Sequence, residues 1–456
     1  MSRKLEHVVV LGGSLTGLLA ARALADAAER VTVVERGSLP DGPAPRREVP
    51  QAQHLHVVLR GGVEALDRLF PTLHADLEGG GAEAFDYGRG AAVGVGDRYL
   101  AGFDSDLWVQ GCTRGLLEWT IARRVAEDPR IRFRTGTTAT GLRFEGDRVA
   151  GLLLEDDDPL RADLVVDASG RASRVPRWLC DAGRSEVPEV LVDARLTYAC
   201  RLYARPDGAP PPWRLLMSMP RPPGVSRSGG IYAVEGDRWQ VTLGAMDGDA
   251  LPAPTDDEGW LAFARSLPVA AVGEALAGAR PLAPATHSRA TADQIRRYDE
   301  MADLPDGLVC VGDAVCALNP LYGQGISLAA LGVEALADAL RTARTDRPED
   351  PIGGLSKPFQ ARLARQNRPV AATAIGADAA WPHTRGLETL GRAGDFLRGP
   401  GGRWSRAYAE RVLQLALDEP EVARAYMEVM HLVRPSGALM RPSLVWRALR
   451  HRPRAA

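Results

Sequence analysis

The sequence predicts an α/β fold, α+β overall, in which a parallel-sheet domain is joined to an antiparallel sheet and a helical C-terminal region. Three observations support this prediction. The N-terminus reads strand, glycine-rich turn, helix, strand, because HVVVLG is β-branched, LLAARALADAA has helical spacing and VTVVE is apolar again. From about 190 to 290 strand patterns alternate along the chain. From about 345 onward the composition is helical, with breaks at Pro and Gly.

The predicted parallel-sheet domain is discontinuous and covers 1–190 and 290–345, since DLVVDAS and LVCVGDA are buried-strand patterns that return to its sheet. The antiparallel domain is predicted over 191–289, where the EGDR turn joins two strands into a hairpin. Residues 346–456 form the predicted helical region. Gly94–Gly96 lacks a strand–turn–helix setting and is predicted to be a loop.

Composition limits the partners. The formal net charge of −2 over 456 residues argues against a nucleic-acid or anionic-membrane partner. No apolar run approaches the roughly 18 residues of a membrane helix, so membrane insertion is not expected. The five cysteines are scattered, without a CxxC pair, which indicates no disulfide framework, no metal site and a cytoplasmic location. Small molecules are the expected ligands.

The first motif lies between the first strand and helix, where Gly12, Gly13, Ser14 and Gly17 are followed by Glu35 at the end of the next strand. Gly12 permits a tight turn, Gly17 permits close packing of helix on strand, and the free amides of the helix start attract a pyrophosphate. Ser14 replaces the usual second glycine. Glu35 is placed to accept hydrogen bonds from a ribose. The motif predicts a dinucleotide site, with FAD and NAD both open.

The second motif is Gly312–Asp313 followed by NPLYGQG at 319–325, which resembles the GD motif of flavoprotein monooxygenases. A carboxylate at a strand end can bind a polyol such as ribitol, and the amides of the glycine-rich turn can face the flavin pyrimidine edge. The resemblance implies FAD, held non-covalently. It also implies an oxygen-site loop of Pro320, Tyr322, Gly323 and Gly325, with Gln324 and Ile326 beside the cofactor.

Further cofactor contacts are expected from arginines. Arg114 stands at a predicted helix start, where the resemblance implies an FAD contact; the alternative is a surface pair with Glu118 one turn later. Arg46 or Arg47 could neutralise pyrophosphate. Arg36 and Ala139 complete the predicted cofactor set. DASGRAS at 167–173 resembles the DG motif of the same class, although a strand-end turn explains it equally well.

Taken together, GGSLTG, RREVPQAQHLH, CTRGLLEWT, DLVVDASGRAS and GDAVCALNPLYGQGIS resemble the bacterial flavin epoxidases of polyether antibiotic pathways, of the lasalocid and monensin type, within the broader para-hydroxybenzoate hydroxylase-like class. The resemblance spans about 1–340. It implies transfer of one oxygen from a flavin C4a-hydroperoxide to an alkene or polyene polyketide, with no catalytic acid or base in the protein. NAD(P)H would reduce FAD transiently, or a separate flavin reductase would be the partner.

Side chains of the antiparallel domain, with one histidine, are the candidates to line a substrate pocket, and strand alternation means that about half can face elsewhere. They are His56, Tyr198, Arg201, Met217, Tyr232, Trp239 and Thr242.

Other functions remain open. An aromatic hydroxylase acting on an aromatic polyketide uses the same flavin chemistry. An isoprenoid reductase and a non-catalytic FAD-binding protein are lesser alternatives. A flavin halogenase is disfavoured because the WxWxIP signature is absent and neither Lys4 nor Lys357, the only lysines, is placed as that class requires.

Overall fold

A computed structural model of the protein describes residues 4–39, 41–46, 50–246 and 256–451. Its strands, in chain order, are β1 (Leu5–Leu11), β2 (Ala28–Val34), β3 (Glu83–Asp86), β4 (Ala91–Val95), β5 (Arg98–Tyr99), β6 (Trp108–Gly111), β7 (Ile131–Arg134), β8 (Ala139–Glu145), β9 (Arg148–Leu154), β10 (Leu160–Arg161), β11 (Leu164–Asp167), β12 (Glu189–Val192), β13 (Thr197–Ala204), β14 (Leu215–Met219), β15 (Arg227–Val234), β16 (Arg238–Ala245), β17 (Arg280–Pro281), β18 (Thr286–Ser288), β19 (Asp293–Arg296), β20 (Leu308–Cys310) and β21 (Cys316–Ala317).

The α-helices, in chain order, are α1 (Leu15–Ala25), α2 (Arg60–Leu69), α3 (Leu73–Gly79), α4 (Tyr87–Gly90), α5 (Arg114–Ala126), α6 (Val175–Asp181), α7 (Asp257–Arg265), α8 (Ala270–Ala277), α9 (Gly325–Asp346), α10 (Ser356–Asp378), α11 (Arg392–Arg398), α12 (Pro400–Asp418), α13 (Pro420–Met430) and α14 (Pro442–Arg450).

A parallel sheet in the order β20-β11-β1-β2-β7 forms the centre of the first layer. Its strands come from both ends of the chain, because β1 pairs with β2 and β11 while β20 pairs with β11. Val8, Val9 and Val10 have no exposed surface, so both faces of the sheet are covered. Helices α1, α5 and α9 pack together beside it. The carboxyl ends of these parallel strands meet at one edge, where the candidate site lies.

The second large sheet has the order β17-β13-β16-β15-β14-β4-β5 and is antiparallel except where β14 pairs parallel with β4. That pairing corrects the prediction of a loop at Gly94–Gly96, because Gly94 and Val95 are strand residues paired with Ser218 and Met219. Glycine is needed at position 94, since a Cβ there would lie 2.2 Å from the Val269 side chain. Hydrophobic spacing alone does not reveal a strand whose partner lies more than 100 residues away.

The C-terminal helices α10 to α14 pack against both layers. Helix α10 contacts β19, β20 and α9, and α12 packs on α13 and α14. The sidechains of Val412, Leu415 and Ala423 form a small core of their own between α12 and α13. The architecture confirms the predicted α/β fold class with its second sheet and helical C-terminal region. Within the described ranges, no helix combines the length and the apolar character needed to cross a membrane.

Candidate functional site

A cavity of about 1760 Å³ runs from the carboxyl edge of the parallel sheet to the C-terminal helices. Its first end is lined by Gly12, Ser14, Glu35 and Arg114. At the other end, the mixed sheet and helices α12 and α13 enclose an apolar space, called here the chamber, whose wall includes Val93, Leu100, Met217, Leu413, Tyr426 and Met430. Pockets for single small ligands measure about 300–1,000 Å³, so this cavity has room for two molecules.

The glycine-rich turn is fixed by close backbone contacts. Gly12 has φ +102°, and a Cβ there would lie 2.7 Å from the carbonyl oxygen of Ala168. A Cβ at Gly17 would lie 1.8 Å from the carbonyl oxygen of Gly12, so helix α1 can approach the turn this closely only with glycine at 17. Ser14 is the N-cap residue of α1 and lines the cavity. The first-turn amides of an 11-residue helix therefore open toward the cavity.

Behind this turn lies a buried chain of charges. The Glu35 carboxylate accepts hydrogen bonds from the Gly13 amide at 2.7 Å and the Gly37 amide at 2.9 Å. Arg46 bridges two acids, with nitrogen–oxygen distances of 3.3 Å to Glu35 and 3.0 Å to Glu118. Arg46 also donates to the Gly13 carbonyl at 3.0 Å.

The structure thus places Arg46 behind the turn and outside the cavity wall, where it holds the turn in shape, in contrast to the expected direct contact with a pyrophosphate. Its predicted alternative, Arg47, lies outside the described residues. Gly13 and Gly17 likewise support the turn without lining the cavity, whereas Glu35, Arg36 and Ala139 do line it.

Arg114 is the guanidinium that reaches the cavity. It begins α5 and donates to the Ser14 hydroxyl at 3.0 Å, while its Nε lies 3.4 Å from Glu118. The pair with Glu118 is buried, which differs from the surface pair weighed as the alternative. Because Glu118 also pairs with Arg46, a single carboxylate links the arginine behind the turn to the arginine in front of it.

The two histidines beside Arg114 are neutral. Burial, followed by the charge of Arg114, lowers the pKa of His56 to about 3. Its Nε2 therefore accepts from Arg114 at 3.3 Å and its Nδ1 donates to the His54 carbonyl at 2.8 Å. Burial and Arg114 also lower the pKa of His54 to about 4. The His54 ring packs on Tyr198 with centroids 4.7 Å apart. The His56 imidazole thus lines the cavity in its neutral form with neutral His54 packed behind it, and the described residues hold no cluster suited to a metal ion.

Asp313 stands at the end of β20, in the short 3-10 helix Gly312–Ala314, and lines the cavity. Burial raises the pKa of this carboxyl, while the charges of Arg171 and Arg114 oppose that rise. In the part of the chain that the structure describes, no donor is bonded to its carboxylate. A half-buried carboxylate without a donor can accept hydrogen bonds from the hydroxyls of a ligand.

The loop after Asp313 closes around the same space. Asn319 caps the 3-10 helix Pro320–Tyr322, Gly323 has φ +64°, and α9 begins at Gly325. Pro320, Tyr322, Gly323, Gln324, Gly325 and Ile326 all line the cavity. The first-turn amides of the 22-residue helix α9 point toward it, and the Gln324 Oε1 atom is buried without a hydrogen-bond partner. These groups offer donors and an unused acceptor to a polar ligand.

The DASGRAS segment has a structural explanation. Asp167 is fully buried and accepts from the Ser169 amide at 3.0 Å, the Ser169 hydroxyl at 2.5 Å and the Ser173 hydroxyl at 2.5 Å. These bonds close the turn after β11. Ser169 to Ala172 and Arg174 line the cavity, but the Asp167 carboxylate does not.

The predicted pocket residues divide into two groups. His56, Tyr198, Met217 and Thr242 line the cavity. Arg201 and Trp239 do not, because each is three positions from a cavity-facing residue of its strand and so points to the opposite face. Arg201 Nη1 forms an ion pair with Asp257 Oδ1 at 2.5 Å, and the Trp239 ring packs on the Trp213 ring with centroids 5.4 Å apart.

Tyr232 is the third correction. It shares the face of Met217, but it packs in a buried cluster beside Phe85, with ring centroids 6.2 Å apart. Its hydroxyl donates to the Gln110 carbonyl at 3.0 Å. The Tyr232 side chain is therefore part of the core and does not reach the cavity wall.

Several cavity-lining residues, most of them in the C-terminal helices, were not predicted from the sequence. Arg221 pairs with Glu410 at 2.7 Å, and Gln414 donates to the same carboxylate oxygen at 2.9 Å. Tyr426 and Met430 on α13 line the chamber. The only sequence signal available was the amphipathic spacing of these helices, and that spacing does not say which surface they cover.

No family model matches the chain. Among solved structures, it is similar to the flavin-dependent brominase Bmp2 (TM-score 0.62, 14% identity, 94% of this chain and 100% of that chain). It is also similar to the anhydrotetracycline hydroxylase OxyS from Streptomyces rimosus (TM-score 0.59, 18% identity, 94% and 76%). A third such structure is 2-methyl-3-hydroxypyridine-5-carboxylic acid oxygenase (TM-score 0.59, 16% identity, 95% and 98%). The chain therefore has the fold of the FAD-binding monooxygenases.

A sequence relative defines the family more narrowly. The chain is 34% identical over 375 residues to protein Rv3254 of Mycobacterium tuberculosis (strain ATCC 25618 / H37Rv), across 77% of this chain and 76% of that protein. The chain belongs to the family of protein Rv3254.

Proposed function

We propose that this protein is an FAD-dependent monooxygenase that transfers one oxygen atom from O2 to a large apolar substrate, most simply by epoxidation of an alkene or polyene polyketide in antibiotic biosynthesis. One observation carries the proposal. A single cavity of about 1760 Å³ has a dinucleotide-type turn and a polyol-binding carboxylate at one end and an apolar chamber at the other.

The residues present fit FAD. Ser14, Arg114 and the first-turn amides of α1 would hold the pyrophosphate, and Glu35 the adenosine ribose. Asp313, which has no donor within the described part of the chain, would accept from the ribityl hydroxyls. The amides at the start of α9, with the unpartnered Oε1 of Gln324, would meet the polar edge of the flavin ring. When bound and reduced, FAD supplies the electrons that activate O2.

The protein's own part is to position the substrate and exclude water. In the overall reaction one oxygen atom enters the substrate and the other becomes water, which consumes a pair of electrons and a pair of protons. NAD(P)H, bound transiently, or a separate flavin reductase would provide the electrons. His54 and His56 stay neutral near pH 7, so neither is charged beside the chamber. The alkene is the nucleophile in epoxidation, which therefore needs no protein base.

The chamber favours a neutral substrate. Glu410 and Arg221 neutralise each other at 2.7 Å, and the guanidinium of Arg406, which also lines the cavity, donates to the Leu397 carbonyl at 2.8 Å. Met217, Tyr426 and Met430 present apolar surface. A long alkene suits this wall better than a carboxylated aromatic ring, although hydroxylation of a neutral aromatic polyketide uses the same positioning.

Halogenation is the outcome that similarity to the brominase invites. Lys4 and Lys357 are exposed and neither lines the cavity. We therefore do not propose it, and bromide is included in the test below.

The experiment measures bound flavin in the purified protein and then supplies NAD(P)H or a flavin reductase, isotopically labelled O2 and a panel of neutral polyenes, phenols and aromatic carboxylates, with and without bromide. We expect a yellow protein and a polyene product that contains one labelled oxygen atom. Reduced alkene, brominated product or a protein that binds no flavin would each reject the proposal. Labelled phenolic products would keep the monooxygenase and replace epoxidation by hydroxylation.

A further inference from the structure

A pair of buried carboxyl groups lies directly behind the loop that faces the proposed FAD site. Asp293 is the first residue of β19 and Asp378 the last of α10, and neither has any exposed surface. Asn319 and Tyr322 of the loop are bonded to them. No sequence motif reveals that the two acids meet, because they are 85 positions apart in the chain.

Each carboxyl oxygen of the pair has a distinct set of partners. Asp378 Oδ1 accepts from the Tyr322 hydroxyl at 2.6 Å, and Asp378 Oδ2 accepts from Asn319 Nδ2 at 2.9 Å. Asp293 Oδ1 accepts from the Asn319 amide at 2.8 Å. Asp293 Oδ2 is buried without a partner among the described residues, although the Asp378 carboxyl is within hydrogen-bonding reach of this side chain.

These contacts determine where a proton must be. Two ionised carboxylates in contact and out of water repel each other strongly. Asp378 already receives donors on both oxygens, which favours its charged form. Asp293 receives only one donor, so a proton on its Oδ2 would both remove the repulsion and give the unpartnered atom a hydrogen bond to Asp378.

We propose that Asp293 and Asp378 share a single proton, carried on Asp293 Oδ2, and together act as positioning residues that hold the loop Asn319–Gly323 against the cavity. The role toward FAD rests on the proposed function; the shared proton and the loop restraint do not. Asn319 is held from both sides, by its backbone amide and by its side chain. Pro320 and Gly323 therefore have a fixed position in the cavity wall.

The electrostatics agree with this arrangement. Burial, and then the charge of Asp378, raise the pKa of Asp293 to about 8. Burial raises the pKa of Asp378 too, while its bonds from Tyr322 and Asn319 lower it. Other ionisable groups face the pair: Arg171 favours the charged form of Asp293, and Asp193 disfavours that of Asp378. Cys316 beside Asp293 and Tyr426 beside Tyr322 stay neutral near pH 7.

The sign of the pH effect follows. The folded pKa of Asp293 lies above the unfolded value of about 3.9, so the folded protein binds this proton more tightly. The stabilisation is full below about pH 4 and is lost as the pH rises through about 8. Asp293→Asn keeps a neutral donor at this position, so its stability should not show this fall.

The test compares Asp293→Asn, Asp378→Asn and Asp378→Ala with Asp299→Asn, a matched control. Burial also raises the pKa of Asp299, which lies in the 3-10 helix that packs on α10, but no bond joins it to the loop. Infrared difference spectra against wild type report the C=O stretch of a protonated carboxyl. We expect that band to disappear in Asp293→Asn, to shift in frequency in Asp378→Asn because the shared hydrogen bond is lost, to persist in Asp299→Asn, and to titrate away in wild type near pH 8.

Hydrogen exchange measured by mass spectrometry reports the loop itself. Peptides containing Asn319–Gly323 should exchange about tenfold or more faster in Asp378→Ala, which loses charge-assisted bonds, and near the wild-type rate in the isosteric Asn variants. If Asp378→Ala does not fold, the Asn variants still decide the shared proton by infrared. An unchanged carboxyl band in both of them, or unchanged loop exchange in a folded Asp378→Ala, would overturn the proposal.

An FAD titration of the same proteins separates the two proposals. Weaker FAD binding by Asp378→Ala, restored in Asp378→Asn, is expected. If wild type itself binds no FAD, the proposed function fails, while the infrared and exchange results stand on their own.

Discussion

Arg114→Met should weaken FAD binding by about tenfold or more while the protein stays folded. The guanidinium donates to the Ser14 hydroxyl at 3.0 Å and to His56 Nε2 at 3.3 Å, and methionine fills similar space without either bond. Glu118 is not left unpaired, because Arg46 remains 3.0 Å from it. The loss of stability therefore comes from two hydrogen bonds of about 1 kcal/mol each and from the long 3.4 Å contact with Glu118, roughly 2 kcal/mol in the free energy of unfolding.

The loss of FAD affinity is of similar size, because the proposed partner of Arg114 is a charged phosphate. A charge-assisted hydrogen bond contributes about 1.5–3 kcal/mol, which corresponds to an increase in Kd of about 10- to 150-fold. The assay is a fluorescence titration of the apoprotein with FAD, with urea unfolding of the same preparations measured in parallel.

Arg123→Met is the matched control. Arg123 lies on the same helix, and its guanidinium stacks over the Trp119 ring at 4.9 Å, away from the cavity. We expect unchanged FAD affinity in this variant. Equal affinity in Arg114→Met and wild type would refute the assignment of Arg114 to the pyrophosphate, and a stability loss well above 2 kcal/mol would show that the Arg114 site is chiefly structural.

Three further predictions follow from the site. Asp313→Ala and Gly12→Val should each be purified without flavin. Asp313→Ala loses the acceptor for the ribityl hydroxyls, and Gly12→Val places a Cβ 2.7 Å from the Ala168 carbonyl oxygen. Absorbance spectra that show a full load of flavin in these variants would contradict the prediction. His54→Ala and His56→Ala should form product wherever FAD is retained. In wild type the pKa values of about 4 for His54 and about 3 for His56 keep both rings neutral, so the rate–pH profile should show no histidine titration between about pH 5 and 8. Glu410→Gln should leave the FAD Kd unchanged and lower kcat/KM for a neutral polyene by about two- to fivefold, because Arg221 becomes an unpaired charge; an equal loss for a carboxylated substrate would contradict that reasoning.

The part of the site that can be predicted from sequence is the part made within one local unit. Gly12 and Gly17 are fixed by contacts inside a single strand–turn–helix segment, so their spacing carries the geometry. Asp313 and the loop to Gly325 are similarly contiguous. Arg46 was predicted to lie near the turn, and it does. Its ion pairs with Glu35 and Glu118 place it behind the turn, which local sequence could not predict.

The rest depends on contacts between distant segments. Asn319 meets Asp378 across 59 positions and Arg221 meets Glu410 across 189, and no local pattern marks either pair. Strand alternation predicts which residues share a face, but not which of them is covered. Tyr232 and Met217 illustrate this: both are on the cavity side of the sheet, and only Met217 reaches the wall because Phe85 packs against Tyr232.

The polar groups at the two ends of the cavity differ in how far their hydrogen-bonding capacity is already used. At the turn end, no described residue donates to Asp313 or bonds to the Oε1 atom of Gln324, so that end gains hydrogen bonds when a polar ligand enters. At the chamber end, Arg221 and Glu410 already form an ion pair, so a charged ligand there would compete with an existing partner. A cofactor rich in hydroxyls and phosphates and an apolar substrate can therefore share one cavity without competing for the same groups, and substitutions in the chamber should leave the FAD affinity unchanged.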